Sequence, residues 1–144
     1  MSPYGLHGRI VLLGIALALA GLFSPGAAQS PGGNVIVYLD PMTTAGVGGT
    51  VSLAPNGPET KLEVTLRPGD TTSDGRAYRM QLVEGTCATP GGVVEDFDAV
   101  HADGKATQRQ SSLRLAEVRK QPHVLQVAAK HDVVACGMIP SARR

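Results

Sequence analysis

A run of eight residues in the middle of the chain, TKLEVTLR at positions 60–67, alternates between polar and apolar residues without a break. Successive side chains of a β-strand point to opposite sides, so Leu62, Val64 and Leu66 share one face and the polar residues share the other. Such a strand has one face in a core and one in water. The segment AYRMQLVE at 77–84 repeats the pattern.

Similar short segments recur along the chain, separated by turns such as PNGP whose residues favour tight reversals. The predicted strands are NVIVYLD (34–40), GTVSLA (49–54), TKLEVTLR (60–67), AYRMQLVE (77–84), VVEDFDAV (93–100), TQRQSSLRL (107–115), PHVLQVAA (122–129) and DVVACGMI (132–139). One helical turn is predicted in LAEVRKQP, and no segment suits a long amphipathic helix. About eight short strands of this kind predict an all-β sandwich or barrel.

The first 28 residues have the three parts of a secretory signal peptide. Arg9 is the only charged residue before an apolar run of fourteen residues, and SPGAA follows with small residues suited to cleavage. The run is shorter than the roughly 20 residues that span a bilayer, which disfavours a membrane anchor. The predicted parts are a signal peptide at 1–28, a flexible lead-in at 29–33, a β-sandwich domain at 34–140 and a basic tail at 141–144. The mature protein is expected to be secreted or periplasmic.

The charge of the mature chain bears on its partners. Loss of Arg9 with the signal leaves 12 basic and 12 acidic residues, from totals of 13 and 12. Nucleic acids and anionic membranes hold proteins chiefly through an excess of Lys and Arg. We therefore expect no nucleic-acid partner, and no stable membrane insertion after the signal is cleaved.

Both cysteines lie in the predicted mature domain. Cys87 stands in EGTCATPGG, where it is open to three interpretations: a nucleophile, a metal ligand or half of a disulfide. An exported chain meets an oxidising compartment, where an even number of cysteines indicates a disulfide first. No histidine adjoins Cys87 or Cys136 in sequence. A bond between them would close a loop of about 50 residues, worth roughly 4 kcal/mol in the chain-entropy model. The disulfide is therefore favoured.

Histidines and glycines give weak signals for ligand chemistry. The mature histidines, His101, His123 and His131, lack the short spacing to other ligands that a zinc site with three or four ligands requires. They are interpreted as ordinary polar residues. The glycines of AGVGG precede no helix, so a phosphate cradle has no helix N-terminus to complete it.

Catalytic serines or acids are equally weak candidates. Ser111 and Ser112 lie in a polar, strand-like stretch without the glycine-flanked elbow that exposes a serine nucleophile. Glu95, Asp96 and Asp98 offer a pair of acids, but clustered acids more often form a solvated face, and nothing marks one of them for burial. No catalytic residue and no cofactor is predicted.

Several motifs between Met80 and Ile139 together resemble a known family. They are MQLVEGTCATPGG, GKATQRQSSLRLAEV, PHVLQVAA and VVACGMI. The sequence here resembles the copper,zinc superoxide dismutase-like β-sandwich, especially small exported bacterial members related to chordin-type (CHRD-like) domains. The resemblance implies an eight-stranded Greek-key sandwich or flattened barrel. It also implies a bond between Cys87 and Cys136.

Key positions depart from that family. Metal-binding relatives carry a His-x-His pair where this chain has Gln81 to Val83, and a further histidine aligns with Ala128. The arginine that guides superoxide aligns with Val133. Glutamine is a poor copper ligand, and valine and alanine cannot bind a metal, so the resemblance implies a fold without the dismutase metal site.

The sequence therefore predicts an exported, disulfide-stapled, non-catalytic superoxide dismutase-like domain with a binding or structural role. Its partner, a protein or a small ligand, is not identified by any motif. The candidate binding face consists of Gln81, Val83, Gln126 and Ala128, where loss of the metal ligands leaves a less polar surface. The alternative is a dismutase-like enzyme or copper-handling protein with an altered metal site that uses His101, His123 or His131.

Overall fold

The computed structural model describes residues 33–44, 46–69 and 76–143. The elements of this part are β1 (Val35–Pro41), β2 (Gly48–Asn56), β3 (Glu59–Arg67), β4 (Ala77–Gly85), β5 (Pro90–His101), β6 (Ala106–Ser111), α1 (Leu115–Val118), β7 (His123–Ala129) and β8 (Asp132–Met138). The all-β prediction is confirmed. The predicted signal peptide and nearly all of the lead-in lie outside the described residues.

All eight strands belong to one antiparallel sheet with the order β5-β4-β7-β8-β1-β2-β3-β6. The sheet curls into a nearly closed barrel, in which β5 and β6 are the two edges that face each other. The connections from β3 to β4 and from β6 to β7 cross between the two halves of the sheet, as in a Greek key. β1 joins the halves, because it pairs with β2 on one side and with β8 on the other.

The hairpin of β2 and β3 confirms the strongest sequence pattern. Its strands pair without a shift from Gly48 opposite Arg67 to Asn56 opposite Glu59. The turn places Gly57 at a φ of 61°, a left-handed conformation that glycine adopts without a steric cost. The apolar residues of TKLEVTLR are all buried, and the charged side chains between them face away from the core.

The core consists mainly of aliphatic residues. Its largest fully buried side chains are Leu62, Leu66, Met80, Leu82 and Leu125. Tyr78 and Phe97 are its aromatic members. A core with few aromatic rings removes less apolar area from water per residue, so additional constraints on the chain contribute proportionally more to stability.

The predicted helical turn is present as α1, which closes one end of the barrel with Leu115 and Val118 buried in the core. His123 follows it at the start of β7 and is itself buried. Its Nδ1 lies 2.8 Å from the carbonyl oxygen of Val118 and 3.0 Å from that of Gln121. Both oxygens can only accept, so Nδ1 carries the proton and donates to them.

Two predicted strand boundaries differ from the structure by three residues or more, and the others agree within two residues. β5 begins at Pro90, three residues before the predicted start. β6 ends at Ser111, four residues before the predicted end. Glu95 explains the second difference, because its carboxylate accepts hydrogen bonds from the Ser111 hydroxyl at 2.5 Å and the Ser112 amide at 3.0 Å. These hydrogen bonds hold Ser111 and Ser112 against β5, and the chain then turns into α1.

Candidate functional site

The sheet from β5 through β4, β7 and β8 to β1 has a core side and an outer side, and the outer side carries the predicted site residues. Met80 and Leu82 on β4, and Leu125 and Val127 on β7, belong to the main core. The residues between them point the other way. This surface is called the outer face below. Its residues on β4 and β7 are Arg79, Gln81, Val83, Val124, Gln126 and Ala128.

A polar row crosses the outer face along the register of the strands. Asp96 on β5 is opposite Gln81, which is opposite Gln126. Gln126 is opposite Cys136 on β8, and Cys136 is opposite Asp40 on β1. Neighbours in such a row have Cβ atoms about 4.5–5.5 Å apart, and the Gln81 and Asp96 side chains are hydrogen-bonded to each other.

An apolar row runs beside the polar row. Val93 on β5 is opposite Val83, Val83 is opposite Val124, and Val124 is opposite Met138 on β8. The middle of the row, at Val83 and Val124, is buried, whereas Val93 and Met138 at its ends are exposed. The row therefore offers contact surface at its ends only.

A second exposed apolar side chain, Tyr38, lies on β1, the strand next to β8. Tyr38 precedes Asp40 by two residues and Met138 follows Cys136 by two residues, so both lie at the same end of the Asp40–Cys136 pair that joins these strands. Tyr38 exposes 67% of its surface and Met138 exposes 53%. Ile36 lies two residues further along β1 on the same side and is also more than half exposed. These three side chains are called the β1–β8 patch below.

The predicted disulfide between Cys87 and Cys136 is present in the structure, with a Cα–Cα distance of 5.9 Å. It ties the short loop after β4 to the outer side of β8. The disulfide packs with Val83 and Val124, and Val133 lies against the same cluster. This small second core on the outer face explains why the middle of the apolar row is buried.

The four residues of the predicted binding face lie together on the outer face but differ in exposure. Val83 exposes 1% of its surface, Gln126 7% and Ala128 8%, and Gln81 is half-buried. No hydrogen bond reaches the Gln126 amide from the described part of the chain. A binding role for this face stays a prediction, and the surface available for it is Gln81 with the exposed residues around the other three.

The positions that the resemblance aligns with metal ligands and with the guiding arginine also lie on the outer face. Ala128 is opposite Arg79 on one side and Val133 on the other. Gln81 and Val83 lie on the strand next to Ala128. The sheet therefore places these side chains near one another, and none of them is a metal-ligating type.

Asp96, at one end of the polar row, is held by two neighbours on β4. The Gln81 amide donates to its Oδ1 at 2.6 Å, and Arg79 donates through Nε at 2.9 Å. The hydrogen bond from Gln81 and then that from Arg79 lower the pKa of Asp96, because both favour the ionised carboxylate. A lowered folded-state pKa contributes stability above the unfolded pKa, and this stability is lost as the pH falls through the folded value.

Gln81→Ala is expected to raise the pKa of Asp96 toward its ordinary value, since the Gln81 hydrogen bond is the largest cause of the shift. A titration that follows the Asp96 carboxyl carbon by NMR measures this directly. Gln108→Ala is the matched control, because that amide donates to Glu63 instead. An unchanged pKa of Asp96 in Gln81→Ala would contradict the assignment.

The structure keeps the other candidate residues apart. His101 ends β5, His131 lies in the turn between β7 and β8, and His123 is buried beside α1. Within the described residues, no group of three or more His, Cys, Asp or Glu side chains is placed to hold a metal ion. The acids were expected to form a solvated face. This holds for the exposed Asp98, whereas Glu95 is half-buried and bonded to Ser111.

Sequence reasoning missed the β1–β8 patch, although a signal for it exists. NVIVYLD buries Val35, Val37 and Leu39, so alternation alone leaves Ile36 and Tyr38 on the opposite side. An apolar pair on the solvent side of an alternating strand is the pattern that an interaction surface leaves in a sequence.

Comparison with protein-family models, curated proteins and solved structures finds no match for this chain. In the described ranges, no helix has the length and apolar character needed to cross a membrane. The dismutase-like resemblance therefore stays a prediction, and a function for the outer face has to be argued from its own geometry.

Proposed function

We propose that this chain is an exported, disulfide-stapled, non-catalytic domain of the superoxide dismutase-like type that binds a protein partner through its outer face. The observation that carries the proposal is the exposure of Tyr38 and Met138, which lie on the neighbouring strands β1 and β8. Tyrosine and methionine are enriched at protein interfaces, where each buries a large apolar area. A partner that covers them removes this area from water.

The polar row gives such a partner hydrogen-bonding groups beside the apolar anchors. Asp40 at one end of the row is exposed, and Gln81 is half-buried. The Gln126 amide lies between them without a partner in the described residues. A buried amide without a hydrogen bond is costly. A hydrogen bond from a partner to Gln126 would therefore contribute more binding free energy than a hydrogen bond to an exposed residue.

The disulfide supports the exported part of the proposal. Such bonds persist in oxidising compartments and are rare in the reducing cytosol. The bond spans 49 residues and also supports the outer face, because Cys136 lies in the polar row and contacts the buried middle of the apolar row. The disulfide that indicates export therefore also supports the proposed binding surface, because Cys136 belongs to both.

The non-catalytic part of the proposal rests on the side chains at the family's metal positions. Gln81 is already committed to Asp96 at 2.6 Å. Val83 is buried against the disulfide, and Ala128 is nearly covered. These side chains offer no imidazole or thiolate to a copper ion, and copper cycling needs several such ligands.

Photo-crosslinking in the exporting host tests the binding proposal. A benzophenone amino acid in place of Tyr38 or Met138 is expected to give one discrete adduct, because both side chains would lie in the interface. The same amino acid in place of Lys105, which lies in the exposed link between β5 and β6, is the control. Val83→Arg would instead test folding, since Val83 is buried against the disulfide.

Competition makes the crosslinking result specific. Met138→Asp in the Tyr38-labelled chain is expected to reduce the adduct about tenfold or more, as for loss of an interface anchor worth about 2 kcal/mol. Equal adducts from Lys105 and Tyr38 would contradict the proposed surface. Stoichiometric, tight copper in protein refolded with copper and zinc would overturn the non-catalytic assignment in favour of the altered metal site.

A further inference from the structure

The two edges of the barrel, β5 and β6, face each other without pairing. They are consecutive strands joined by only four residues, 102–105, and they run antiparallel. Strands with so short a connection ordinarily pair as a hairpin. Here the link is fixed elsewhere, because Ala102 donates to the Arg76 carbonyl at 3.1 Å and Gly104 to the Leu66 carbonyl at 2.8 Å.

Two side chains bridge this seam in place of backbone hydrogen bonds. Arg109 of β6 donates from Nε to the Asp98 carbonyl oxygen at 3.1 Å and also bonds the Ala99 carbonyl. Glu95 of β5 accepts from Ser111 and Ser112. Paired strands lie about 4.8 Å apart, and a bridge made of a whole arginine side chain holds them farther apart than that.

An open cleft of about 570 Å³ lies along the seam. Its wall on β5 is acidic and its wall on β6 is polar, with Phe97 and Arg109 between them, and Asn56 of β2 and Lys61 of β3 complete the lining. The residues that the argument uses are Asp96, Phe97, Asp98, Gln108, Arg109 and Gln110.

The two edges differ in their capacity to accept another strand. β6 pairs with β3 in unbroken register from Thr65 opposite Ala106 to Thr60 opposite Ser111. β5 shifts register against β4 at three places, one of which sets Asp98 and Ala99 against a single residue of β4. Bulges make an edge strand a poor partner for a further strand. A regular edge strand presents its free N–H and C=O groups at the spacing that β-sheet pairing requires. β6 is therefore the edge that fits an added strand.

We propose that the seam binds one extended peptide segment of another protein, added as a strand along β6, with the side-chain order basic, apolar, basic. Asp96 and Asp98 of β5 line the same cleft as Gln108 and Gln110 of β6, and the strands are bridged from Glu95 to Ser111 and from Arg109 to the Asp98 carbonyl. Residues i and i+2 of an added strand share a side, so one basic residue would meet the Asp98 carboxylate and the other the Oδ2 of Asp96, whose Oδ1 is already bound by Gln81 and Arg79.

The middle residue of that segment faces the floor of the cleft. Arg109 shares the inner side of the sheet with Leu62, its partner on β3, and reaches toward β5 next to Phe97. An apolar side chain there would cover the 9% of Phe97 that is still exposed. Asp98 strengthens the preference for a basic neighbour, because its carboxylate has no hydrogen bond or ion pair within the described residues. This site is separate from the β1–β8 patch and does not depend on it.

Arg109 sets the affinity of the seam for a strand. Its guanidinium occupies the carbonyl oxygens of Asp98 and Ala99 and spans the space that the added backbone would fill. The peptide must displace this bridge before it can bind, and a strand that reaches Ser111 must also displace the bridge from Glu95. Removal of the Arg109 bridge is therefore expected to raise the affinity for the peptide. If the cleft did not accept a strand, removal of the bridge would leave the affinity unchanged.

A capped pentapeptide, Thr-Lys-Val-Lys-Thr, titrated into the full mature protein is the test. Backbone amide shifts measured by NMR are expected to concentrate in Gln108–Ser111. Arg109→Ala is expected to bind the peptide about fivefold tighter or more, since two hydrogen bonds no longer have to be broken. Asp98→Asn is expected to weaken binding about two- to fivefold, as for one exposed ion pair. Asp132→Asn, an equal change of charge on β8, is expected to leave it unchanged.

A second peptide keeps the test independent of how well Arg109→Ala folds. The same pentapeptide with alternate backbone nitrogens methylated has the same side chains and charge, but it cannot donate a ladder of hydrogen bonds. Loss of the β6 shifts with this peptide supports strand addition. Equal shifts with both peptides, or no shifts in β6 with the first, would overturn the proposal.

Discussion

Replacement of Cys87 by alanine is expected to lower the free energy of unfolding by about 4 kcal/mol, the chain-entropy value for a loop of this length. The bond joins residues 49 apart, so its loss frees much of the unfolded chain. The folded state loses contacts as well, because the disulfide covers Val83 and Val124 on the outer face. A domain of this size typically has about 5–15 kcal/mol of net stability, so the bond accounts for a large share of it.

The two cysteines are expected to differ when serine replaces them. Cys136 exposes only 2% of its surface, whereas Cys87 is half-buried. A serine hydroxyl at position 136 would be buried without a hydrogen-bond partner, which lowers the free energy of unfolding by a further amount of about 1–3 kcal/mol. Cys136→Ser should therefore be less stable than Cys87→Ser, whereas sequence alone gives no reason for a difference.

Urea unfolding of five samples separates these effects: the oxidised protein, the reduced protein, both single alanine variants and the double alanine variant. The double variant is expected to be about as stable as either single one, because each change breaks the same bond. The reduced protein should unfold close to them. Additive losses in the double variant, or a reduced protein as stable as the oxidised one, would contradict this account.

The sequence predicted those features of the fold that depend on local pattern. Alternation in TKLEVTLR and AYRMQLVE was sufficient to assign the buried and exposed sides of β3 and β4, and the structure has the same sides. Two cysteines allow one intramolecular bond, and that bond is present. Each of these inferences needs only neighbours in sequence or a count of residues.

The parts that sequence did not predict depend on which strands are neighbours. Val83 has the position of a solvent-facing residue on β4, but the disulfide loop covers it. Tyr38 and Met138 are 100 positions apart in sequence and lie on neighbouring strands because β1 pairs with β8. Glu95 appears solvated in sequence, yet the seam places it against Ser111. Register and loop placement decide each case, and no local pattern reports them.

Gly137 at the junction of β8 and β1 carries the second large prediction. This glycine is inside a strand, where a missing side chain often marks a close approach of another backbone. A Cβ on Gly137 would lie 2.3 Å from the carbonyl oxygen of Tyr38 and 2.7 Å from a methyl carbon of Val37. The first contact is with backbone, so a rotamer change cannot relieve it.

Gly137→Ala is therefore expected to lower the free energy of unfolding by about 3 kcal/mol, at the upper end of the usual cost of overpacking. The β1–β8 pairing joins the two halves of the sheet and includes Asp40 opposite Cys136 and Pro41 opposite Ala135. Its displacement would also move Tyr38, because the carbonyl oxygen of that residue is the atom that the added Cβ would meet. The variant should thus lose crosslinking at the β1–β8 patch under conditions in which it is still folded.

Gly92→Ala is the matched control for this steric account. An added Cβ on Gly92 has no atom within 4 Å, so its unfolding free energy should stay within about 0.5 kcal/mol of the parent. Both variants lower backbone entropy in the unfolded chain by the same substitution, and the difference between them isolates the contact with β1. Equal stabilities in urea would show that β8 and β1 are not as close as the structure has them. If Gly137→Ala is destabilised but keeps its disulfide, the loss of stability comes from the contact between β8 and β1 and not from loss of the disulfide.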